Sequence, residues 1–227
     1  GKRLGLYYLE QGACQRPSVV IYDRENSSVS ETLFEQYDWD AIFNNCTWFH
    51  ISGITPAISA NGADVALKAV KKAKKSAVTV SCDLNFRSKL WKYGKTAQEV
   101  MQQIMEYVDV AVGNEEDCQK SLGIGLDTAK ERPEFDEDIY REITQSVLDA
   151  HPNLEKIAIT LRQNRSADSN RWSAVLRTKE NYLASESYEI DDIVDRVGSG
   201  DAFAAGLIYG FSKFKTEKEA LEFAVAA

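Results

Sequence analysis

The chain has 227 residues, enough for one large domain with a substantial core, and its apolar and charged residues occur in ordinary globular proportions. The formal net charge of −8 argues against nucleic acid as the main partner. No apolar run approaches the roughly 18 residues of a membrane span, no signal peptide is recognisable, and the four cysteines lack CxxC spacing, so we expect reduced thiols in a cytoplasmic protein.

Residues 1–36 predict a small antiparallel flap. The stretches "LGLYYLE" and "SVVIYDR" are typical of two short strands, joined by a polar turn at residues 12–17. No helical pattern separates them, so they should pair with each other and form a lid. The remaining residues, 37–227, then form the α/β core.

The core alternates between strand and helix patterns. Four apolar, β-branched runs predict buried strands, at residues 47–51, 77–82, 108–112 and 157–161. Apolar positions three and four apart predict helices between them, at residues 58–75, 96–107 and 137–150. This order predicts a mostly parallel sheet flanked by helices and wound by right-handed crossovers.

Polar segments follow three of the predicted strands. They are Ser52-Gly53, the segment "DLNFR" at residues 83–87 and the segment "GNEED" at residues 113–117. Because open α/β sheets bind ligands beyond the carboxyl ends of their strands, these segments should meet at one edge.

The stretch "DRVGSGDAFAAGLIYG" at residues 195–210 predicts an anion site. Gly198 and Gly200 permit a tight turn, and backbone N–H groups converge there if a helix begins near Asp201. Small residues at 202 and 204–206 should let that helix approach the sheet closely. Asp201 is either a helix cap or the base for phosphoryl transfer to an alcohol, and the turn alone would also suit simple anion binding.

Three motifs in order resemble those of the ribokinase or PfkB family of carbohydrate kinases. "DRVGSGDAFAAGL" is similar to the family signature Asp-Thr-x-Gly-Ala-Gly-Asp, with Arg196 in place of the threonine and Ser199 in place of the alanine. "DLNFR" resembles its Asp-x-Asn-x-Arg segment, and residues 114–117 resemble its Asn-x-x-Glu element, with Asp117 replacing the glutamate. The resemblance covers essentially the whole chain and implies a ribokinase-like fold.

The closest resemblance within the family is to the 2-keto-3-deoxygluconate kinases, through "GLYYLE", "YDRENS", "FHISGITPA" and "DLNFRSKLW". It implies ATP-dependent phosphorylation of 2-keto-3-deoxygluconate to the 6-phospho product, with ATP and Mg²⁺ and with a monovalent cation left open. It also leads us to expect that an N-terminal sugar-binding part and a C-terminal adenine-binding part of the family fold lie outside this chain.

The resemblance assigns roles to residues of the turn and of the Asn-x-x-Glu element. Asp201 becomes the general base, and Gly198, Ser199 and Gly200 stabilise the charge on the transferred phosphoryl group. Asn114 contacts the nucleotide and acts with Asp117 on Mg²⁺ through water, a turn with a helix cap being the alternative. Thr160 and Arg162 approach the ATP phosphates or are a plain strand end.

Substrate-binding residues are expected in the flap and after the second core strand. Tyr22 and Arg24 share a face of the flap because they are two residues apart, and by resemblance Tyr7 faces the sugar. Arg87 can grip a carboxylate or phosphate bidentately, with a surface ion pair as its alternative. His50 is interpreted as a satisfied core histidine.

Two other functions stay open from the sequence. One is a PfkB-family kinase for a neutral sugar, such as a fructokinase or ribokinase-like enzyme, and the other is a catalytically silent sugar- or nucleotide-binding protein of the same fold. The arginines favour an acid substrate, and Asp201 argues against a silent binder. We expect no nucleic-acid or membrane partner, and a homo-oligomer that forms through the lid because unpaired edges favour covering.

Overall fold

The computed structural model describes residues 3–12, 16, 18–125, 137–164, 169–195 and 197–227. Cys14, Arg196 and most of the predicted turn at residues 12–17 lie outside this part. The three cysteines inside it, Cys46, Cys82 and Cys118, are free thiols. None of the described helices is long and apolar enough to cross a membrane.

The predicted flap is confirmed. Strands β1 (Leu6–Glu10) and β2 (Val19–Asp23) pair only with each other within the described residues, in an antiparallel register that sets Tyr7 opposite Tyr22 and Tyr8 opposite Ile21. Short helices α1 (Ser28–Glu31) and α2 (Trp39–Phe43) lead from the flap to the core, with a 3₁₀ turn at Phe34–Gln36 between them.

The predicted alternation of strands and helices is also confirmed. The first half of the core contains β3 (Trp48–Ser52), α3 (Ile54–Ala57), α4 (Ala60–Lys75), β4 (Thr79–Asp83), α5 (Ala97–Met105), β5 (Val110–Gly113), α6 (Glu115–Asp117) and a π-helical turn (Cys118–Leu122). The second half contains α7 (Glu137–Ala150), β6 (Lys156–Asn164), β7 (Asn170–Thr178), β8 (Tyr182–Ala184), β9 (Tyr188–Ile190), α8 (Ser199–Lys213) and α9 (Glu217–Ala226).

A seven-stranded mixed sheet runs through the core in the order β3-β4-β5-β6-β7-β8, with β9 also paired to β7. Strands β3 to β6 are parallel, and β7, β8 and β9 add an antiparallel extension that the sequence analysis did not predict. These antiparallel strands thus extend the hydrogen-bonded sheet from the parallel strands to the region beneath α8.

The sheet is buried on both faces, which explains why its strands lack alternation in the sequence. On one face Ala111 and Ile157 belong to the larger core, together with residues of α4, α5 and α7. On the other face Val112 and Ala158 pack in a smaller core with residues of α8 and α9. Consecutive residues of one strand therefore serve two different cores.

The lysine side chains of helix α4 lie on a solvated surface, and three of them pair with carboxylates. Lys68 pairs with Asp64 at 2.8 Å, Lys72 with Asp40 at 2.5 Å and Lys74 with Asp109 at 2.6 Å. These surface pairs each contribute little stability, but they offset part of the positive charge of the run.

The outer face of the flap is apolar and exposed. Its residues include Leu6, Tyr8, Val19 and Ile21, of which Ile21 is 62% exposed. This face is where the predicted homo-oligomer would form, and the mass of the complete protein in solution is the measurement that tests that prediction.

Candidate active site

The carboxyl ends of three parallel strands meet at the edge where the sequence predicts a site. The register sets Ser52 of β3 beside Asp83 of β4, and Asp83 beside Val112 of β5. The turn after β3 lies against the end of β4, since the Gly53 N–H donates to the Asp83 carbonyl at 2.7 Å. A Cβ at Gly53 would be 2.1 Å from the Leu84 carbonyl oxygen, so only glycine fits there.

Helix α8 begins at the predicted glycine turn. Gly198 has φ of +86°, the left-handed region that favours glycine, and it is the N-cap without any side-chain capping hydrogen bond. The Gly198 carbonyl accepts from the Ala202 N–H at 2.7 Å, so helical bonding starts here. Asp201 stands in the first turn with its side chain exposed, and it is not the N-cap residue.

Close packing holds the direction of α8, although not in the way its small residues predict. Phe203 and Leu207 face the smaller core, where the Phe203 ring packs edge-on against Trp172 at 6.3 Å. Gly206 and Gly210 instead approach α9, and a Cβ at Gly210 would be 2.7 Å from the Cα of Ala220. Of the small residues expected to approach the sheet, Ala204 lies in the smaller core with sheet residues, Gly206 approaches α9 instead, and Ala205 is exposed.

Asp83 is a buried carboxyl at this edge, and it was missed as a site residue. Its side chain accepts from the backbone N–H and the side-chain amide of Asn85, each at 3.2 Å. Burial raises the pKa of Asp83 to about 7, and the negative charges of Asp117 and Asp201 act in the same direction. The sequence contained a signal for this residue, because Asp83 is the first residue of "DLNFR". It did not show that the side chain is buried, and burial is what changes its pKa.

Asn114 and Asp117 form a reciprocal capping box at the end of β5. The Asn114 side chain accepts from the Asp117 N–H at 2.8 Å, and the Asp117 carboxylate accepts from the Asn114 N–H at 3.0 Å. The other Asp117 oxygen accepts from the Phe86 N–H at 2.8 Å, which ties "DLNFR" to β5. Burial raises the pKa of Asp117 even though these hydrogen bonds oppose that shift.

The carboxylates at this edge do not form a ready-made metal cage. Within the described ranges, no three His, Cys, Asp or Glu side chains cluster closely enough to hold an ion directly. Mg²⁺ usually keeps several waters and takes one or two protein carboxylates. Asn114 and Asp117 therefore fit a hydrated Mg²⁺ and do not fit a dehydrated one.

The flap brings its predicted substrate residues together. Tyr7 and Tyr22 lie opposite each other, and the Arg24 guanidinium packs near both rings, at 5.9 and 5.8 Å from their centres. Such cation–π contacts hold a guanidinium without neutralising its charge. The Arg24 Nε is buried and has no hydrogen-bond partner.

The flap touches both sides of the edge. Lys89, after "DLNFR", donates to the Val20 carbonyl at 3.0 Å, and Gln11 at the flap tip donates to the Val194 carbonyl at 3.0 Å. Arg87 is exposed, donates to the Phe86 carbonyl at 2.7 Å, and its charge opposes the rise in the pKa values of Asp83 and Asp117.

Thr160 and Arg162 lie on β6, on the far side of the edge from β3. The Thr160 hydroxyl donates to the Gly113 carbonyl at 3.4 Å. Arg162 reaches the first residue of α8, where it donates to the Ser199 hydroxyl at 2.5 Å. The structure therefore brings Arg162 to the glycine turn and leaves Thr160 at the end of β5.

The interpretation of His50 as a core histidine is wrong. The residue is exposed on β3, the edge strand of the sheet, where Trp48 on the same face stacks on Phe211 of α8. The His50 Nδ1 lies 2.7 Å from the Ser81 hydroxyl, which also accepts from the Trp48 indole at 2.8 Å. Partial desolvation lowers the pKa of His50, and the charge of Asp201 opposes that shift.

Comparison with known proteins agrees with this arrangement. A 2-dehydro-3-deoxygalactonokinase from Haloferax volcanii is 30% identical over 206 residues, which are 91% of this chain and 57% of that protein. A 2-dehydro-3-deoxygluconokinase from Bacillus subtilis is 27% identical over 208 residues, 89% of this chain and 55% of the relative. The chain therefore spans little more than half the length of these curated relatives.

Solved structures give the same result. The crystal structure of a 2-dehydro-3-deoxygluconokinase from Thermotoga maritima superposes with a TM-score of 0.90 at 43% identity, covering 100% of this chain and 66% of that one. A family model described as pfkB family carbohydrate kinase matches residues 1–227. The chain thus belongs to the pfkB family of carbohydrate kinases.

Proposed function

We propose that the complete protein uses ATP to phosphorylate a 2-keto-3-deoxy sugar acid, 2-keto-3-deoxygluconate, on the hydroxyl at the far end of its carbon chain. The observation that carries this proposal is the start of α8, where the left-handed N-cap Gly198 stands three residues before the Asp201 carboxylate and no side chain caps the helix. The kinship with two kinases named for 2-keto-3-deoxy sugar acids supports the choice of substrate.

Asp201 is the group proposed to accept the proton of the acceptor hydroxyl. A carboxylate in the first turn of a helix lies beside the backbone N–H groups that have no partner inside the helix. Those groups, at Gly198, Ser199 and Gly200, together with the helix dipole, favour the negative charge that develops on the transferred phosphoryl group. Proton acceptor and anion site are thereby held on one rigid element.

Replacing Asp201 tests the assignment of the base. Asp201→Asn should lower kcat by about 10²-fold to 10⁴-fold, because it removes the proton acceptor but preserves size and the backbone N–H groups. Binding of sugar acid and of ATP, measured by calorimetry, should change little. Asp64→Asn, on the outer face of α4, is the matched control. A variant with the wild-type single-turnover rate would exclude Asp201 as the base.

Mg²⁺, when bound with ATP, would neutralise charge on the phosphates. Asn114 and Asp117 are proposed to hold its water shell. Their side-chain oxygens already accept hydrogen bonds from backbone N–H groups, and the remaining lone pairs can accept from water molecules bound to the metal. The same hydrogen bonds give Asp117 its role in ordering "DLNFR".

Magnesium dependence separates these two roles of Asp117. In Asp117→Ala the metal concentration for half-maximal rate should rise much more than the KM for the sugar acid, because water around the metal loses an acceptor. A stability loss with an unchanged magnesium titration would leave Asp117 with the capping role alone. Unfolding curves of the same variant supply that comparison.

The arginines near the flap support an acid substrate over a neutral sugar. Arg24 is held by two tyrosine rings and its Nε is buried and unpartnered, an arrangement that a carboxylate would complete. Arg87 is exposed on the segment to which Lys89 docks the flap. A neutral sugar would leave these guanidinium groups without a charge partner in a closed site. A kinase for a neutral sugar is therefore the second candidate function, after the kinase for a sugar acid.

Substrate preference tests the acid assignment. Arg24→Ala and Arg87→Ala should each lower kcat/KM for the keto-deoxy acid by about ten-fold to a hundred-fold, the loss expected for one charge-assisted hydrogen bond, and should change kcat/KM for fructose little. Arg16→Ala is the matched control, since Arg16 is paired with Glu10 at the flap tip. Equal kcat/KM values of the wild type for fructose and for the keto-deoxy acid would favour the neutral-sugar kinase.

The proposed reaction brings several negative groups to an edge that already holds Asp83, Asp117 and Asp201. Because the pKa of Asp83 is about 7, this carboxyl carries a proton over much of the range in which an ordinary aspartate does not. A protonated Asp83 reduces the repulsion that an incoming phosphate would meet. The cost of ionising Asp83 in the folded protein should then appear in the stability.

The pH dependence of unfolding tests this burial. Between the ordinary aspartate range and pH 7 the folded protein keeps a proton that the unfolded chain releases, so the unfolding free energy should fall as pH rises, by at most about 1.4 kcal/mol per pH unit from this group. Asp83→Asn should remove that fall. Denaturant unfolding at pH 5, 6 and 7 measures it, and identical slopes in both proteins would contradict the buried, protonated Asp83.

A further inference from the structure

The guanidinium of Arg162 is held from two sides. The Arg162 Cζ lies 5.1 Å from the centre of the Trp172 ring, and one terminal nitrogen of the guanidinium donates to the Ser199 hydroxyl at 2.5 Å. Trp172 is itself fixed, because it is 8% exposed and its indole nitrogen donates to the Val225 carbonyl at 3.2 Å, while Phe203 packs on it edge-on. The arginine therefore rests on a rigid aromatic support.

The Ser199 hydroxyl does not cap helix α8. Gly198 is the N-cap of α8, and Ser199 is the first residue inside the helix, two positions before Asp201. Its hydroxyl accepts a hydrogen bond from Arg162, and this bond joins β6 to the glycine turn. An alanine at this position could not accept it.

We propose that Ser199 is a positioning residue that acts through Arg162, holding its guanidinium beside the glycine turn for contact with the phosphate groups of the nucleotide. This inference rests on the proposed kinase function and deepens it. An arginine side chain loses considerable rotamer freedom when it binds a ligand, and a guanidinium already fixed by a hydroxyl and an aromatic face loses less. The hydroxyl should therefore tighten the binding of ATP and leave that of the sugar acid unchanged.

A double-mutant cycle with Ser199→Ala and Arg162→Gln in the complete protein is the test. Ser199→Ala alone should raise the Kd for ATP by about three-fold to ten-fold, in the lower part of the range of coupling energies between contacting residues, with little change in the KM for the sugar acid. In the Arg162→Gln background the same change should have no further effect. Ser199→Thr keeps a hydroxyl and should restore most of the affinity.

A serine near the other end of the same helix provides the matched control. Ser212 donates to the Tyr209 carbonyl of its own helix at 2.7 Å, so Ser212→Ala changes α8 without touching Arg162. Its affinity for ATP should equal that of the wild type. Melting temperatures of all variants show whether any loss of affinity comes from a loosened helix.

Three results would overturn the inference: an unchanged Kd for ATP in Ser199→Ala, an equal effect of that substitution with and without Arg162, or an equal rise in the KM for the sugar acid. Calorimetry with ATP keeps this test separate from the proposed reaction. If the wild-type protein binds ATP but transfers no phosphoryl group to the sugar acid, the proposed function fails, and the cycle in Kd still decides the role of Ser199.

Discussion

The close contact between α8 and α9 is the constraint on which the candidate site depends. Gly206 and Gly210 let the two helices approach until a single added methyl group would meet the backbone of α9. Because Phe203 on the same side of the helix packs edge-on against Trp172, α8 cannot rotate or slide without breaking one of these contacts. A helix held in this way presents its first turn, with Asp201, at one defined place.

The electrostatics of the site follow from burial at the ends of the strands. Burial at the ends of β4 and β5 raises the pKa values of Asp83 and Asp117, and the nearby Asp201 adds to the shift of Asp83. Arg87 opposes both shifts, while Arg162 stands at the start of α8. This edge thus combines the protonatable carboxyl of Asp83, the Asp201 side chain and two guanidinium groups, which is the combination that the proposed phosphoryl transfer uses.

The flap adds the second half of the arrangement. Two hydrogen bonds to backbone carbonyls, from Lys89 and from Gln11, fasten it to both sides of the edge, and neither involves the residues proposed to contact the sugar. The proposed substrate contacts of Tyr7, Tyr22 and Arg24 are therefore separate from the hydrogen bonds that fix the flap.

Much of the fold could be predicted from the sequence, because strand runs, helical periodicity and the glycine turn are local patterns. The helix at residues 137–150 has the predicted bounds, and Gly198 adopts the positive φ that a glycine turn requires. The positions of "DLNFR" and "GNEED" after predicted strands likewise placed these segments at one edge of the sheet. The antiparallel strands β7 to β9 were not predicted. β8 and β9 have only 3 residues each, and β7 is held by its pairing with β6, which its own sequence does not reveal.

The sequence by itself determined the order of the parallel strands, the flap, and the residue types available for an acid–base and anion site. Tertiary structure alone decided which of these residues meet and how they are charged. Arg162 and Ser199 are 37 positions apart, and only the sheet and α8 together bring them into contact. Asp83 differs from an exposed aspartate, and His50 from a core histidine, because the exposure of a side chain is set by the elements packed around it and not by its neighbours in the chain.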